Sequence, residues 1–348
     1  MKALTFTGLE TITYETIQDP QIIDDSDVIV RVKRCAICGS DLHVFYGREQ
    51  GIDHHTAMGH EFTGEVVEVG RNVRSLRKGD HVMSPFTTSC GKCFYCLRGL
   101  TCRCVNSQLF GWVENGNGLH GGQSEYVRVP MADGTLVKIP EGISVDEALM
   151  MGDILSTGFY CAKQARVKPG ETHVVIGCGP VGLMAVIGAK HYGSDKVFAI
   201  DTVPERLQMA KKFGATTIDA SKENAIEKIK DVTEGRGADA VMEAVGSSGA
   251  GKLAYDLIRP GGIISVVGVC NDANLSFSPV EAYNKNITYT VGRCPARAMM
   301  DELTPFVRSK KVDFTSIVTH RMKLQDGVKG YDIFANKKDN CLKVILET

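Results

Sequence analysis

The chain has 348 residues, 12 cysteines and a formal net charge of −1, enough length for one large or two ordinary domains whose cores stand without disulfides. Near-neutral charge and the lack of any long basic tract give no electrostatic case for nucleic acid or an anionic membrane as partner. The start, MKALTFTGLETITYET, lacks a basic n-region, an apolar stretch and a cleavage site, and no apolar run reaches bilayer length; the expectation is a cytoplasmic chain with reduced thiols, where clustered cysteines signal metal or catalysis.

Up to about residue 150 the apolar pattern is short and punctuated by turns: VIVRV (28–32), GEVVEVG (64–70), DHVMSPF (80–86) and QSEYVRVP (123–130). Such spacing predicts many short strands in a β-rich, barrel-like unit. From residue 173 the texture changes. HVVIG (173–177), KVFAID (196–201), ADAVMEAVG (238–246) and GGIISVVGV (261–269) alternate with the helix-sized runs VGLMAVIGAKHY (181–192), PERLQMAKKFG (204–214) and AGKLAYDLI (250–258). That alternation predicts βαβ units on a parallel sheet. The tail beyond residue 293 is too short for a domain of its own and is expected to pack on the first unit, with a cleft between the two parts.

Residues 177–182, GCGPVG, lie between a predicted strand and a predicted helix. Gly177 allows the tight turn, Gly179 lets the backbone approach a pyrophosphate, and Gly182 lets helix and strand pack closely; Pro180 and Val181 open the helix whose amides face the phosphates. Asp201 ends the next strand, where a carboxylate accepts the ribose hydroxyls of NAD and repels the 2′-phosphate of NADP, so NAD is the expected cofactor. The competing reading of Asp201 is a solvated strand end. Arg206 either flanks the adenosine ribose or is exposed.

Two constellations carry metal-ligand chemistry. Cys90, Cys93, Cys96 and Cys104 form C-x2-C-x2-C-x7-C, enough to close a tetrahedral zinc with no open position, a site that holds a loop together and does no chemistry. Cys102 competes with Cys104 as fourth ligand, and an iron–sulfur cluster is the minor alternative. The second set mixes donors: Cys38 in CAICGSDLH, His60 and Glu61 in GHEFTGEVVEVG, and Asp153 in MGDILSTG. Taken singly these are ordinary, since a lone cysteine is usually core and Asp153 could cap the helix beginning near Ile154.

Together they resemble the zinc-dependent medium-chain alcohol dehydrogenases over essentially the whole chain, most specifically in GHEFTGEVVEVG, which fits the family signature G-H-E-x2-G-x5-G. The resemblance implies an α/β molecule: a GroES-like, β-rich catalytic domain (1–153 and 294–348) and a Rossmann, doubly wound NAD-binding domain (154–293). It implies two zincs per subunit, one catalytic on Cys38, His60 and Asp153 with Glu61 as a neighbouring or exchangeable ligand, and one structural in the four-cysteine lobe. An open zinc acts as a Lewis acid on an alcohol or carbonyl oxygen, while hydride passes to or from the nicotinamide. Ser40 resembles the family's relay hydroxyl, and His43, with an ordinary pKa of about 6.5, would pass the proton outward. Asp41 would orient His43 or complement a helix dipole, and Ser40 could equally be a helix N-cap.

Further positions follow from the same likeness. Thr157 matches the residue behind the nicotinamide, Val245 and Val269 lie where the cofactor is met, and Lys343 matches a basic position reaching the pyrophosphate, or is otherwise a surface lysine. Trp112, the only tryptophan, matches a wall of the substrate pocket in secondary-alcohol enzymes, or else fills core. His54, His55 and His120 are read as loop histidines. Aspartate at position 153 is similar to bacterial secondary-alcohol and to formaldehyde dehydrogenases, whereas plant and animal members carry cysteine there. The expected substrate is therefore a small, secondary alcohol or its ketone, with polyol, threonine or aldehyde as alternatives and a non-catalytic binding protein as a remote one. A homodimer or homotetramer is expected.

Overall fold

The computed structural model describes residues 1–348 as two compact units, Met1–Ser156 with Pro295–Thr348, and Thr157–Cys294.

The first unit is built around the strand Val28–Ile37. Val28, Ile29, Val30 and Val32 are buried, Arg31, Lys33 and Arg34 half-buried, and Cys35, Ala36 and Ile37 again all buried. One edge of the strand is paired from Val28 to Cys35 with Phe62–Val69, while the other is shared between Tyr126–Val129, opposite Val28–Arg31, and Val344–Glu347, opposite Arg34–Ile37. The strand thus runs well past the VIVRV stretch, because its second half is completed by residues some 300 positions away. The mixed sheet reads Val137–Lys138, His81–Met83, Phe62–Val69, Val28–Ile37, Lys343–Glu347, Val318–Lys323, and a three-stranded sheet (Thr11–Thr16, Lys2–Gly8, Thr56–Ala57) accompanies it. Leu4, Phe62, Val66, Phe110, Tyr331 and Val344 meet in its core, where a fully buried aliphatic or aromatic side chain contributes about 1.5–3 kcal/mol. The helix Val145–Met151 starts on a capping box in which Ser144 and Glu147 satisfy each other's backbone amides, and at its other end the Gly152 and Asp153 amides donate to the Leu149 and Met150 carbonyls in the turn that carries Asp153.

The second unit is a six-stranded, all-parallel sheet in the order Thr216–Asp219, Lys196–Asp201, Thr172–Ile176, Ala238–Glu243, Ile258–Val266, Thr288–Val291. This is the doubly wound order, with its switch point between Thr172–Ile176 and Ala238–Glu243, where such sheets bind nucleotides. Every residue of Thr172–Ile176 is buried, as a central parallel strand requires. The fold class is the one the resemblance implied: a GroES-like β-rich unit and a Rossmann sheet.

Candidate functional site

The mixed-donor residues converge because of strand register. Cys35 pairs with Phe62, so Cys38, just beyond the end of one strand, lies beside His60 and Glu61, just before the start of its antiparallel neighbour. Asp153 arrives from the turn after Val145–Met151. One donor atom from each of Cys38, His60, Glu61 and Asp153 lies within 4.8 Å of all the others, and all four residues are buried. Asp153 Oδ2 is 3.4 Å from Cys38 Sγ and 3.3 Å from His60 Nε2. Ligand atoms on a tetrahedral zinc stand about 3.3–3.8 Å apart, given bonds of about 2.0 Å to nitrogen or oxygen and 2.3 Å to sulfur, so this donor set fits that ion.

The electrostatics agree with the geometry. Burial, with the Asp153 and Glu61 charges behind it, pushes the Cys38 thiol up to about 11, so a thiolate here needs a cation beside it. Burial alone would lower His60, but the Asp41 and Cys38 charges outweigh it and hold the imidazole well above its ordinary value. Asp41 Oδ1 sits 3.2 Å from His60 Nδ1, and its Oδ2 accepts from the Cys38 amide at 2.9 Å. The Asp41 contact leaves Nε2 facing Cys38 and Asp153, an outer carboxylate fixing the face that a ligating imidazole presents. Lys343 Nζ lies 2.7 Å or less from both Glu61 oxygens and donates to the Ile37 carbonyl at 3.1 Å. The Glu61 carboxylate holds the Lys343 ammonium above its ordinary pKa despite burial, which opposes the charge.

The second constellation is also assembled. Cys90, Cys93, Cys96 and Cys104 bring their sulfurs within 4.8 Å of one another; Cys102 is not a member and is buried in the turn Thr101–Arg103. The amides of Cys96 and Val105 donate to Cys93 and push its thiol down to about 6, whereas burial pushes Cys96 up to about 12. The Cys90 amide donates to Cys104 Sγ at 3.2 Å. Amides turned toward sulfur suit thiolate ligands, so this set too fits a structural zinc.

In the parallel sheet, the GCGPVG loop joins Thr172–Ile176 to the helix Pro180–His191, with Gly179 as N-cap and Pro180 in the first turn beside Val181. Gly177 has φ +86°, and a Cβ on Gly182 would fall 1.7 Å from the Gly177 carbonyl oxygen, so no other residue fits at position 182. Asp201 is no solvated strand end: it is half-buried and accepts from the amides of Cys178 (2.7 Å), Thr202 (2.7 Å) and Val203 (2.9 Å). Arg206 Nη1 is 4.0 Å from Asp201 and 3.9 Å from where a Gly179 Cβ would stand, which puts its guanidinium over the glycine loop. Val245 and Val269 are exposed on adjoining loops whose backbones meet at Gly246, and Thr157 is buried. Glu243, unnoticed in the sequence, is a buried carboxylate accepting from the Val245 and Gly246 amides at 2.6 and 2.8 Å.

The expectations for Lys343, for Asp41 and for Ser40 as a helix cap need correcting. Lys343 is not a surface lysine, nor is its ammonium presented to a phosphate: it is 1% exposed, and its polar contacts are to Glu61 and Ile37. Asp41 serves His60, not His43. The Ser40 hydroxyl makes no capping bond but lies 3.1 Å from His60 Nε2. His43 is half-buried with Nδ1 unpartnered, and desolvation lowers its pKa. Trp112 packs on the first unit's core and donates to Glu114. His55 pairs with Glu15, His54 stacks edge-on with Phe6, and His120 accepts from the Ala57 amide. No helix is long and apolar enough to cross a membrane.

Comparison with known proteins adds to this geometry. Residues 24–141 match the family model described as alcohol dehydrogenase GroES-like domain, and residues 180–309 match zinc-binding dehydrogenase. The chain is 41% identical to "Zinc-type alcohol dehydrogenase B" of Aspergillus flavus, covering 99% of this chain and 80% of the relative. It is 33% identical to the "NADP-dependent isopropanol dehydrogenase" of Thermoanaerobacter brockii, over 92% of each. Among solved structures, alcohol dehydrogenase TADH from Thermus sp. ATN1 superposes with a TM-score of 0.93 at 36% identity, covering 100% of this chain and 99% of that one. The chain belongs to the zinc-dependent medium-chain alcohol dehydrogenases, and its chemistry is the interconversion of alcohols and carbonyl compounds.

Proposed function

We propose that the chain interconverts a small secondary alcohol and its ketone with NAD, using a zinc held by Cys38, His60 and Asp153 in a catalytic domain of residues 1–153 and 294–348, and a nucleotide held by residues 154–293. The observation that carries this reading is the buried, zinc-sized nest of one sulfur, one imidazole and one carboxylate. When bound, an open zinc supplies Lewis acidity toward an alcohol or carbonyl oxygen, and NAD supplies the hydride acceptor. Ser40, whose hydroxyl stands beside His60 Nε2, relays the alcohol proton: Oγ accepts it as its own hydroxyl proton passes outward to water. Glu61 stays on Lys343 and balances charge beside the ligands. Cys90, Cys93, Cys96 and Cys104 hold the second zinc and stiffen their loop.

Asp201 supports NAD over NADP. Its carboxylate is fixed by three amides at the end of Lys196–Asp201, where a 2′-phosphate would meet a like charge. The T. brockii relative, named for NADP, therefore differs from this chain in the proposed cofactor. Gly177, Gly179 and Gly182 cradle the pyrophosphate with Pro180 and Val181 at the helix start, Arg206 flanks the ribose, and Thr157, Val245 and Val269 meet the nicotinamide end. Trp112 narrows the alcohol side.

The test is a panel of 2-propanol, 2-butanol, sorbitol, threonine and formaldehyde with NAD and NADP, for the native chain, Cys38→Ser and Asp201→Ser. Turnover of the two simple alcohols with NAD is expected, with loss in Cys38→Ser and a narrowed preference in Asp201→Ser. Full turnover by Cys38→Ser would refute the ligand set; native preference for NADP would refute the role of Asp201. Oxidation of sorbitol or threonine alone would move the substrate to that class.

A further inference from the structure

Asp41 touches two members of the mixed nest at once, and something must hold Asp41. It is 4% exposed, so water is not available to orient its carboxylate. Behind it lies Gln123, fully buried, from the stretch GGQSEY. Gln123 Nε2 donates to Asp41 Oδ2 and to the Ala36 carbonyl, both at 3.1 Å, and Gln123 Oε1 accepts at 2.8 Å from the hydroxyl of Tyr331. Tyr331 is 1% exposed and comes from the helix Gly327–Ala335. The Gln123 stem lies across Gly59, the residue before His60: at its φ of +87° a Cβ would fall 2.4 Å from Gln123 Cγ.

The direction of this chain of bonds matters. The Asp41 carboxylate and the Ala36 carbonyl, both acceptors, turn the amide's Nε2 toward them, and the Tyr331 hydroxyl, donating to Oε1, holds the amide's other end in place. Asp41 Oδ2 then has two donors, Gln123 Nε2 and the Cys38 amide, and Oδ1 is left toward His60 Nδ1. We propose that Gln123 and Tyr331 are positioning residues for the metal centre: through Asp41 they set the plane of the His60 ring and the approach of Cys38. Neither side chain is a ligand. Each acts by leaving a buried carboxylate one orientation, and in a buried network the loss of one member is felt by the others.

This inference rests on reading Cys38, His60 and Asp153 as a metal site. The test uses the full chain loaded with Co(II), with Gln123→Met, which keeps volume and removes the amide, Tyr331→Phe, which removes only the hydroxyl, and the double variant. Chelator competition gives the affinity, and the visible bands report each site's geometry, since one-thiolate and four-thiolate cobalt absorb differently. Gln123→Met is expected to weaken the mixed site roughly tenfold, the order typical when an outer partner of a metal ligand is lost, to shift its bands, and to leave the four-cysteine bands unchanged. Tyr331→Phe should move both readouts in the same direction by less, and the double variant should be no worse than Gln123→Met. Native bands and affinity in both single variants, even with a lowered melting temperature, would overturn the proposal and leave the side chains as packing. A native chain that takes up only one Co(II) would refute the metal reading itself, and this inference with it.

Discussion

Replacing Lys343 by methionine should expose how much the metal nest depends on one cation of the protein's own. Lys343 is 1% exposed and Glu61 fully buried, with the ammonium within 2.7 Å of both carboxylate oxygens. Methionine keeps the apolar stem and removes the charge. Stranding one member of a buried pair costs about 3–5 kcal/mol. For the unit formed by Met1–Ser156 and Pro295–Thr348 this corresponds to a fall of about 6–20 °C in its melting temperature. The pH dependence has a definite sign. Burial already raises the Glu61 pKa and Lys343 opposes it, so losing Lys343 raises it further. A carboxyl whose folded pKa lies above its unfolded value loses stability as pH rises. The deficit should therefore be larger at pH 8 than at pH 5, and larger still after chelator treatment removes a neighbouring metal charge. Glu61→Gln in the same chain should restore most of it. The assay is thermal unfolding by circular dichroism of the native chain, both single variants and the double, at the two pH values. A Lys343→Met melt within 2 °C of native at pH 8, or simple additivity in the double variant, would refute the reasoning.

Two further outcomes follow from the structure. Cys104→Ser should lower zinc content from two to one per chain while Cys102→Ser keeps both, read by elemental analysis, because only Cys104 joins the four-sulfur cluster. His173 is fully buried in the central parallel strand, its Nδ1 2.6 Å from Ser194 Oγ, and burial pushes its pKa down to about 4. The unfolded chain takes up that proton first, so stability should fall by about 3 kcal/mol as pH drops from about 6.5 to 4. His173→Gln, which keeps a hydrogen-bonding group and does not titrate, should flatten that part of the denaturation profile; an unchanged slope would exclude His173 as its source.

What could be read from the sequence was what lies close along it. GCGPVG needs only its own strand, turn and helix, and the four-cysteine lobe closes within 15 residues, so both were visible as spacing. Cys38, His60 and Asp153 were visible only through family likeness, since strand register and a capped helix are what bring them together. The remainder depended on partners far away in the chain. Asp41 has His43 two positions on, yet its partner is His60; Gln123 and Tyr331 are 208 residues apart and share a bond. Lys343 looks like any lysine near a strand start until Lys343–Glu347 is seen filling the edge of Val28–Ile37 beside Glu61. Ser40 was read as a relay hydroxyl or an N-cap, and its hydroxyl faces an imidazole that periodicity and capping rules cannot place.

The distance along the chain between Asp153 and Lys343 has a consequence during synthesis. All three proposed zinc donors have left the ribosome about 190 residues before the lysine that neutralises Glu61 does, an interval of roughly 10–40 s at ordinary elongation rates of about 5–20 residues per second. Over that interval the nascent nest carries an unbalanced glutamate, and the half-strand Arg34–Ile37 has a bare edge. Capture of an ion by the emerging peptide would relieve the first, so metal supply to the translating cell should influence the yield of properly folded polypeptide as well as the activity of the finished enzyme.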